Sequence, residues 1–224
     1  MLSDFFALIY PESCAACGQT LLKNEDTLCT SCILHLPKTN YWKTKDNPVS
    51  KVFWGRIPVE NACSFYQFSK GGNVQRLLHQ LKYKGNKNAG YVPGKLFGAE
   101  LKETPFNEID AIIPVPLHLS KIKKRGYNQS ELISLGLSET LGKPTKTNWL
   151  IRKKANETQT KKSRFKRWEN VKEIFATENE EEFEGKHLLI VDDVVTTGAT
   201  LEACAQLLLQ VKDVKISIVA LASA

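Results

Sequence analysis

Among the 224 residues, those best suited to chemistry by type and spacing are two adjacent carboxylates, Asp192 and Asp193, followed by Thr196, Thr197, Gly198, Ala199 and Thr200. Leu188 to Val191 precede them as an unbroken apolar run, which reads as a strand buried on both faces, and a helical pattern opens behind Thr200. The acids therefore stand on a strand-loop-helix corner. Like charges at contact distance must be solvated or paired, so they need something to bind. Vicinal sugar hydroxyls suit them, because an ionised carboxylate only accepts hydrogen bonds and a ribose offers two O–H donors. The threonines and Gly198 have the chemistry of a phosphate cradle, with hydroxyl donors, close backbone approach and the free N–H groups of a helix start. Together they describe one ligand, a phosphorylated ribose.

A second constellation stands near the start of the chain. Cys14 and Cys17 form one Cys-x-x-Cys pair, Cys29 and Cys32 another, and eleven residues separate them. Two such knuckles close a tetrahedral four-sulfur site for Zn²⁺, and with no ligand position left open the metal is expected to be structural. Cys63 and Cys204 fall in apolar patterns and are expected in the core.

The elements that must position these groups can be read at lower resolution. Residues 37 to 58 read as an irregular connection whose Trp42, Trp54 and lysines either pack or stack on bases. A strand over 61–68 is followed by a helix carrying Val74, Leu77, Leu78 and Leu81 on one face, ending at Lys82, Tyr83 and Lys84. A helix is expected over 93–103, then a buried strand from Ile109 that Pro114 and Pro116 turn into a loop. The basic run Lys121, Lys123, Lys124 and Arg125 lies beyond it, and Arg125, beside Gly126, is the best single candidate for gripping a polyanion. Leu132, Ile133, Leu137 and Leu141 mark a crossover helix, and Trp149 to Ile151 a short strand. Residues 152 to 172 carry nine Lys or Arg against two Glu, too charged for a core and long enough to be a functional mobile segment. A strand over 214–221 closes the pattern.

Residues 188 to 200 resemble the phosphoribosyl pyrophosphate (PRPP) signature of type I phosphoribosyltransferases. With the cysteine pairs and the run from Arg125 to Gln129, the resemblance narrows to the ComF/GntX-like competence proteins, on the amidophosphoribosyltransferase-like branch. It implies an α/β fold with a central, mostly parallel sheet flanked by helices and a small zinc-ribbon-like N-terminal module. The expected division is 1–58 for the module and linker and 59–224 for the transferase-like domain. It implies PRPP contacts from Asp192, Asp193, Thr196, Thr197, Gly198, Ala199 and Thr200, and a pyrophosphate loop at Val115 and Pro116. Asp192, Asp193, Arg125 and Arg167 would be the catalytic set, with Mg²⁺ accompanying PRPP and a flexible loop of Gln159, Lys161, Lys162, Arg164 and Asn170 closing over it. The resemblance also turns Lys82 and Lys84 toward the site; read alone they are a solvated helix end. It lacks the glutaminase part, so ammonia from glutamine is not expected as the acceptor.

Composition leaves two function classes in play. A net charge of +7 attracts polyphosphates and nucleic acid alike. One expectation is an enzyme transferring phosphoribose to an unidentified nucleophile in the setting of DNA uptake. The other is a non-catalytic accessory of the uptake machinery that binds single-stranded DNA or a protein partner. The short apolar stretch from Phe5 to Ile9 follows Asp4 and no basic residue, so no export signal or membrane insertion is expected, and the paired thiols point to a cytoplasmic setting.

Overall fold

The computed structural model describes residues 12–153 and 174–224. A parallel sheet of four strands carries the molecule: β1 (Ala62–Gln67), β2 (Ala111–Pro114), β5 (His187–Val195) and β6 (Lys215–Ser223), in the order β1-β6-β5-β2. All three pairings are parallel. Beside β2, Ile112 exchanges backbone bonds with Pro144 and Lys146 and so extends that edge. β3 (Leu150–Arg152) and β4 (Phe175–Thr177) form a separate antiparallel pair.

Both faces of the sheet are covered, which is why its strands read as continuous apolar runs. On one face Leu189, Val191, Val219 and Phe65 pack under α3 (Asn73–Tyr83), α4 (Asn88–Leu101) and α6 (Gln129–Leu141), and the same core takes in Cys14, Cys29, Cys32 and Trp42. On the other, Leu188, Ile190, Ile216 and Ile218 pack against α7 (Ala199–Leu208), Phe53, Trp149 and Phe183. Cys63 and Cys204 are buried, as their patterns require. α4 and α6 meet backbone to backbone: a methyl at Gly136 would stand 2.2 Å from the carbonyl oxygen of Tyr91.

Several elements differ from the sequence reading, each for a local reason. The strand expected to stop near Val191 runs on to Val195, because β6 continues beside it and pairs Val195 with Ser223. Residues 37 to 58 are ordered. Residues 37–39 pair antiparallel with β1, and Trp42 is buried against Phe65 and Phe97. Pro48–Lys51 then forms α2, started by a reciprocal cap between Asn47 and Ser50. α4 begins at Asn88, ahead of Pro93, because packing on α6 outweighs the single bond that a proline removes. The basic loop after β2 contains a short helix, α5 (Leu119–Arg125), capped by His118. α1 (Thr30–His35) follows the second cysteine pair. No helix among the described residues is long and apolar enough to cross a membrane.

Asn47 is the polar centre of the ordered connection. Its Oδ1 accepts from the N–H groups of Val49 and Ser50, and its Nδ2 reaches the carbonyls of Tyr41, Thr44 and Ala62 at 2.8–3.2 Å. It is 3% exposed. Asn47→Ala removes a cap and strands buried carbonyls, so urea unfolding should show a loss of about 2–4 kcal/mol.

Candidate functional site

At the carboxyl end of β5 the chain turns through Thr196 and Thr197 and enters α7 at Gly198, which takes the left-handed conformation at φ 72°. A side chain there would also be blocked from outside, since a Cβ would stand 2.6 Å from Val52 Cγ1 and 2.9 Å from Phe53 Cε1. Arg56 holds the turn on that flank. Its Nη1 donates to the carbonyls of Thr197 and Val52, each at 2.9 Å, and its Nη2 pairs with the Glu202 carboxylate. The first intrahelical bond of α7 runs from Glu202 N–H to Gly198, so the N–H groups before it have no helical acceptor. They line a hollow of about 60 Å³ with Asp192 and Thr196 to Leu201. Thr196, Thr197, Ala199 and Thr200 are exposed. The helix start, its dipole and three hydroxyls make this a place for an anion.

The two acids are held by different helices. Asp192 is half-buried and accepts at Oδ1 from Ser130 Oγ at 3.0 Å and from the Asp193 N–H at 2.8 Å. Burial, then the neighbouring Asp193 charge, raise its carboxyl to about 7, against the smaller opposing pull of those two bonds and of Lys82. Asp193 is paired with Lys82 from the end of α3, Oδ1 to Nζ at 2.9 Å. Lys84, from the same segment, is exposed.

The loop after β2 reaches the acids through its backbone. Val115 N–H donates to Val191, continuing the ladder beyond Pro114, and Pro116 then takes the chain out of the sheet. Asn128 gathers the loop's two ends: its Nδ2 donates to the Val115 carbonyl at 3.0 Å and its Oδ1 accepts from Ser130 N–H, capping α6. Arg125 ends α5 with its guanidinium 5.8 Å from the centre of the Tyr83 ring, and its Nη1 is buried with no hydrogen-bond partner among the described residues. A buried guanidinium N–H without an acceptor costs about 1–3 kcal/mol, so the site carries an unmet demand for an anion.

The structure thus brings Asp192, Asp193, the 196–200 turn and Val115 to one edge of the sheet, and Arg125 to the helix end that supplies Lys82. Gln159, Lys161, Lys162, Arg164, Arg167 and Asn170 lie outside the described residues. The segment that holds them is bounded by the β3–β4 pair, where Lys153 N–H donates to Ile174. Two contributors, Ser130 and Arg56, went unread in the sequence, and a third was read only in part. Ser130 had a signal, an Asn cap two residues before a serine at a helix start. Arg56 had none, because its partners lie some 140 positions away. Lys82 was suggested by resemblance, without its partner.

At the other end of the chain the sulfurs of Cys14, Cys17, Cys29 and Cys32 all lie within 4.8 Å of one another, close enough to hold one metal ion. Four sulfurs each about 2.3 Å from a tetrahedral centre would be about 3.8 Å apart, and Cys17 and Cys29 stand at 3.7 Å. Burial raises the Cys14 thiol, but N–H groups of Cys17, Cys29 and Ala16 outweigh it and bring it down to about 7.

A parallel sheet flanked by helices, with paired acids and a threonine-glycine turn at its carboxyl edge, is the type I phosphoribosyltransferase fold, here with a small four-cysteine module. Residues 103–224 match the phosphoribosyl transferase domain family, and the chain belongs to that family. It is similar to the DNA utilization protein YhgH of Escherichia coli strain K12, with 30% identity over 201 residues, 88% of this chain and 84% of that protein. It is also 38% identical over 137 residues to competence protein ComFC of Bacillus subtilis strain 168, covering 61% of this chain and 54% of that protein. Among solved structures, the glutamine PRPP amidotransferase from B. subtilis aligns over 62% of this chain and 30% of its own, at 19% identity and a TM-score of 0.44.

The raised Asp192 carboxyl has a consequence for stability. A folded pKa above the free value means that the folded state holds the proton more tightly. This contribution is therefore fully present below about pH 3.8 and is lost as pH rises through about 7. Asp192→Asn keeps an acceptor for Ser130 and carries no charge. Relative to the unsubstituted protein it should gain roughly 1–3 kcal/mol between pH 4 and pH 8 in denaturant titrations.

Proposed function

We propose that this chain binds PRPP and transfers its phosphoribosyl group to an acceptor nucleophile. The observation that carries the reading is the convergence on one sheet edge of two carboxylates and a threonine-glycine turn at a helix start, with a guanidinium bearing an unpaired buried N–H at the helix end that supplies Lys82. Asp192 and Asp193 accept the ribose hydroxyls. The turn from Thr196 to Thr200 takes the 5-phosphate on its backbone N–H and hydroxyl donors. Val115 and Pro116 border the pyrophosphate, and Arg125 binds its oxygens, favouring departure of the charged leaving group. Mg²⁺, bound with the pyrophosphate, would offset its charge. To Gln159, Lys161, Lys162, Arg164, Arg167 and Asn170, which lie outside the described residues, the same reading gives a share in binding the charged ligand.

We assign Zn²⁺ to the four-cysteine module, in a structural role, with residues 1–58 as module and linker and 59–224 as the transferase part. Cysteines paired at metal-ligand spacing rather than as disulfides suit a reducing, cytoplasmic setting. The relatives' names, DNA utilization protein and competence protein, support a setting in DNA utilization or competence for the proposed activity. They also favour a second reading, in which the chain binds single-stranded DNA or an uptake protein without turnover. The net charge of +7 serves either reading.

Two measurements test these assignments. Calorimetry with Mg²⁺ and PRPP should give saturable binding that is lost in the Asp192→Asn, Asp193→Asn double variant, with a gain in stability of about 2.7 kcal/mol at a hundredfold excess over Kd. Absence of binding, together with tight salt-dependent binding of oligothymidine, would instead support the DNA reading. Removing metal with a strong chelator should lower the unfolding temperature by several degrees and release one Zn²⁺ per chain; a protein indifferent to chelation would refute the metal assignment.

A further inference from the structure

The cation on Asp193 comes from outside the matched family segment of residues 103–224. Lys82 stands in the last turn of α3 and its ammonium lies 2.9 Å from Asp193 Oδ1, with the two side chains only 25% and 15% exposed. The helix end that carries it is fastened to the loop beside the site: the Tyr127 hydroxyl donates to the Leu81 carbonyl, and Tyr83 lies under the Arg125 guanidinium. Lys82 is thus fixed beside the two acids, on a helix end that also packs under Arg125.

One ion pair does not exhaust this lysine. An ammonium has three donors, and Lys82 spends one on Asp193; no other partner is seen among the described residues. Asp193 in turn keeps its second oxygen and further lone pairs for a hydroxyl. The pair therefore does not compete with a sugar. It leaves an oriented and largely desolvated cation beside the carboxylate that faces the ribose hydroxyls, and such a cation binds a phosphate oxygen more strongly than one in water.

Resting on the PRPP reading above, we infer that Lys82 binds the pyrophosphate of the ligand, anchored by Asp193 and acting beside Arg125, and thereby selects pyrophosphorylated ribose over simple ribose phosphate. Asp193 has two tasks in this arrangement: it receives a hydroxyl and aims the ammonium. The family segment supplies the acids, and α3 supplies the cation that reads the rest of the ligand.

The test compares two ligands on the full-length, metal-loaded protein. Calorimetry with Mg²⁺ is carried out with PRPP and with ribose 5-phosphate, which lacks the pyrophosphate, on the unsubstituted protein, Lys82→Met, Lys82→Gln and Lys82→Arg. Loss of a charge-assisted contact should weaken PRPP about tenfold or more in the Met and Gln variants. Ribose 5-phosphate should change by less than about threefold, and Arg should recover most of the PRPP loss. Two uncharged variants guard against one that fails to fold, and melting curves report their integrity. Equal weakening of both ligands, or no weakening of either, overturns this inference and leaves the PRPP reading standing. An unsubstituted protein that binds neither ligand overturns both.

Discussion

Two carboxylates at the end of a buried strand constrain everything around them. Their mutual repulsion, in a place with little water, has to be offset by other groups, and three separate elements are drawn in to do it. α6 arrives with Ser130, α3 with Lys82, and the strand's own backbone with the Asp193 N–H. Even so Asp192 remains a poor acid, raised to about 7 by burial and by its neighbour. A site arranged in this way is not at its stability optimum, and the residual strain is what a ligand with hydroxyl donors can relieve.

The flank opposite α3 is supplied by residues 47 to 57. Asn47 folds this connection on itself, Val52 and Phe53 press on the turn at Gly198, and Arg56 ties the Thr197 carbonyl to Glu202 on α7. The connection between the cysteine module and the sheet is therefore also the outer wall of the anion hollow. Substitutions there would reach the turn through packing rather than through the ligand.

Much of this was legible in the chain because the signals were local. The apolar run before Asp192 announced a doubly covered strand, the leucines of α3 and α6 kept helical spacing, and the cysteine spacing alone located the metal-fitting cluster. The extension of β5 was hidden because two acids argue against a strand, and only a long neighbour, β6, made the continuation favourable. α5 was hidden because a run of lysines between a proline-rich loop and a glycine looks like solvated coil, although His118 caps it and Gly126 closes it. Residues 37 to 58 look irregular by composition because their order comes from contacts with β1 and α7, which no local pattern encodes. For the same reason Arg56 could not be found from sequence.

The way the sheet's β1 edge is finished bears on how the protein would fail. β1 is an outer strand, and its free side is occupied by residues 37–39, a short strip leading directly out of the cysteine module. An uncovered outer strand offers a row of unsatisfied backbone groups to any extended chain it meets. The module is thus a guard for that edge as well as a neighbour of the core. Were it to loosen, the first loss would be solubility: β1, apolar along most of its length, would be free to recruit another molecule's strand while the paired acids, on the inner strand β5, were still in place.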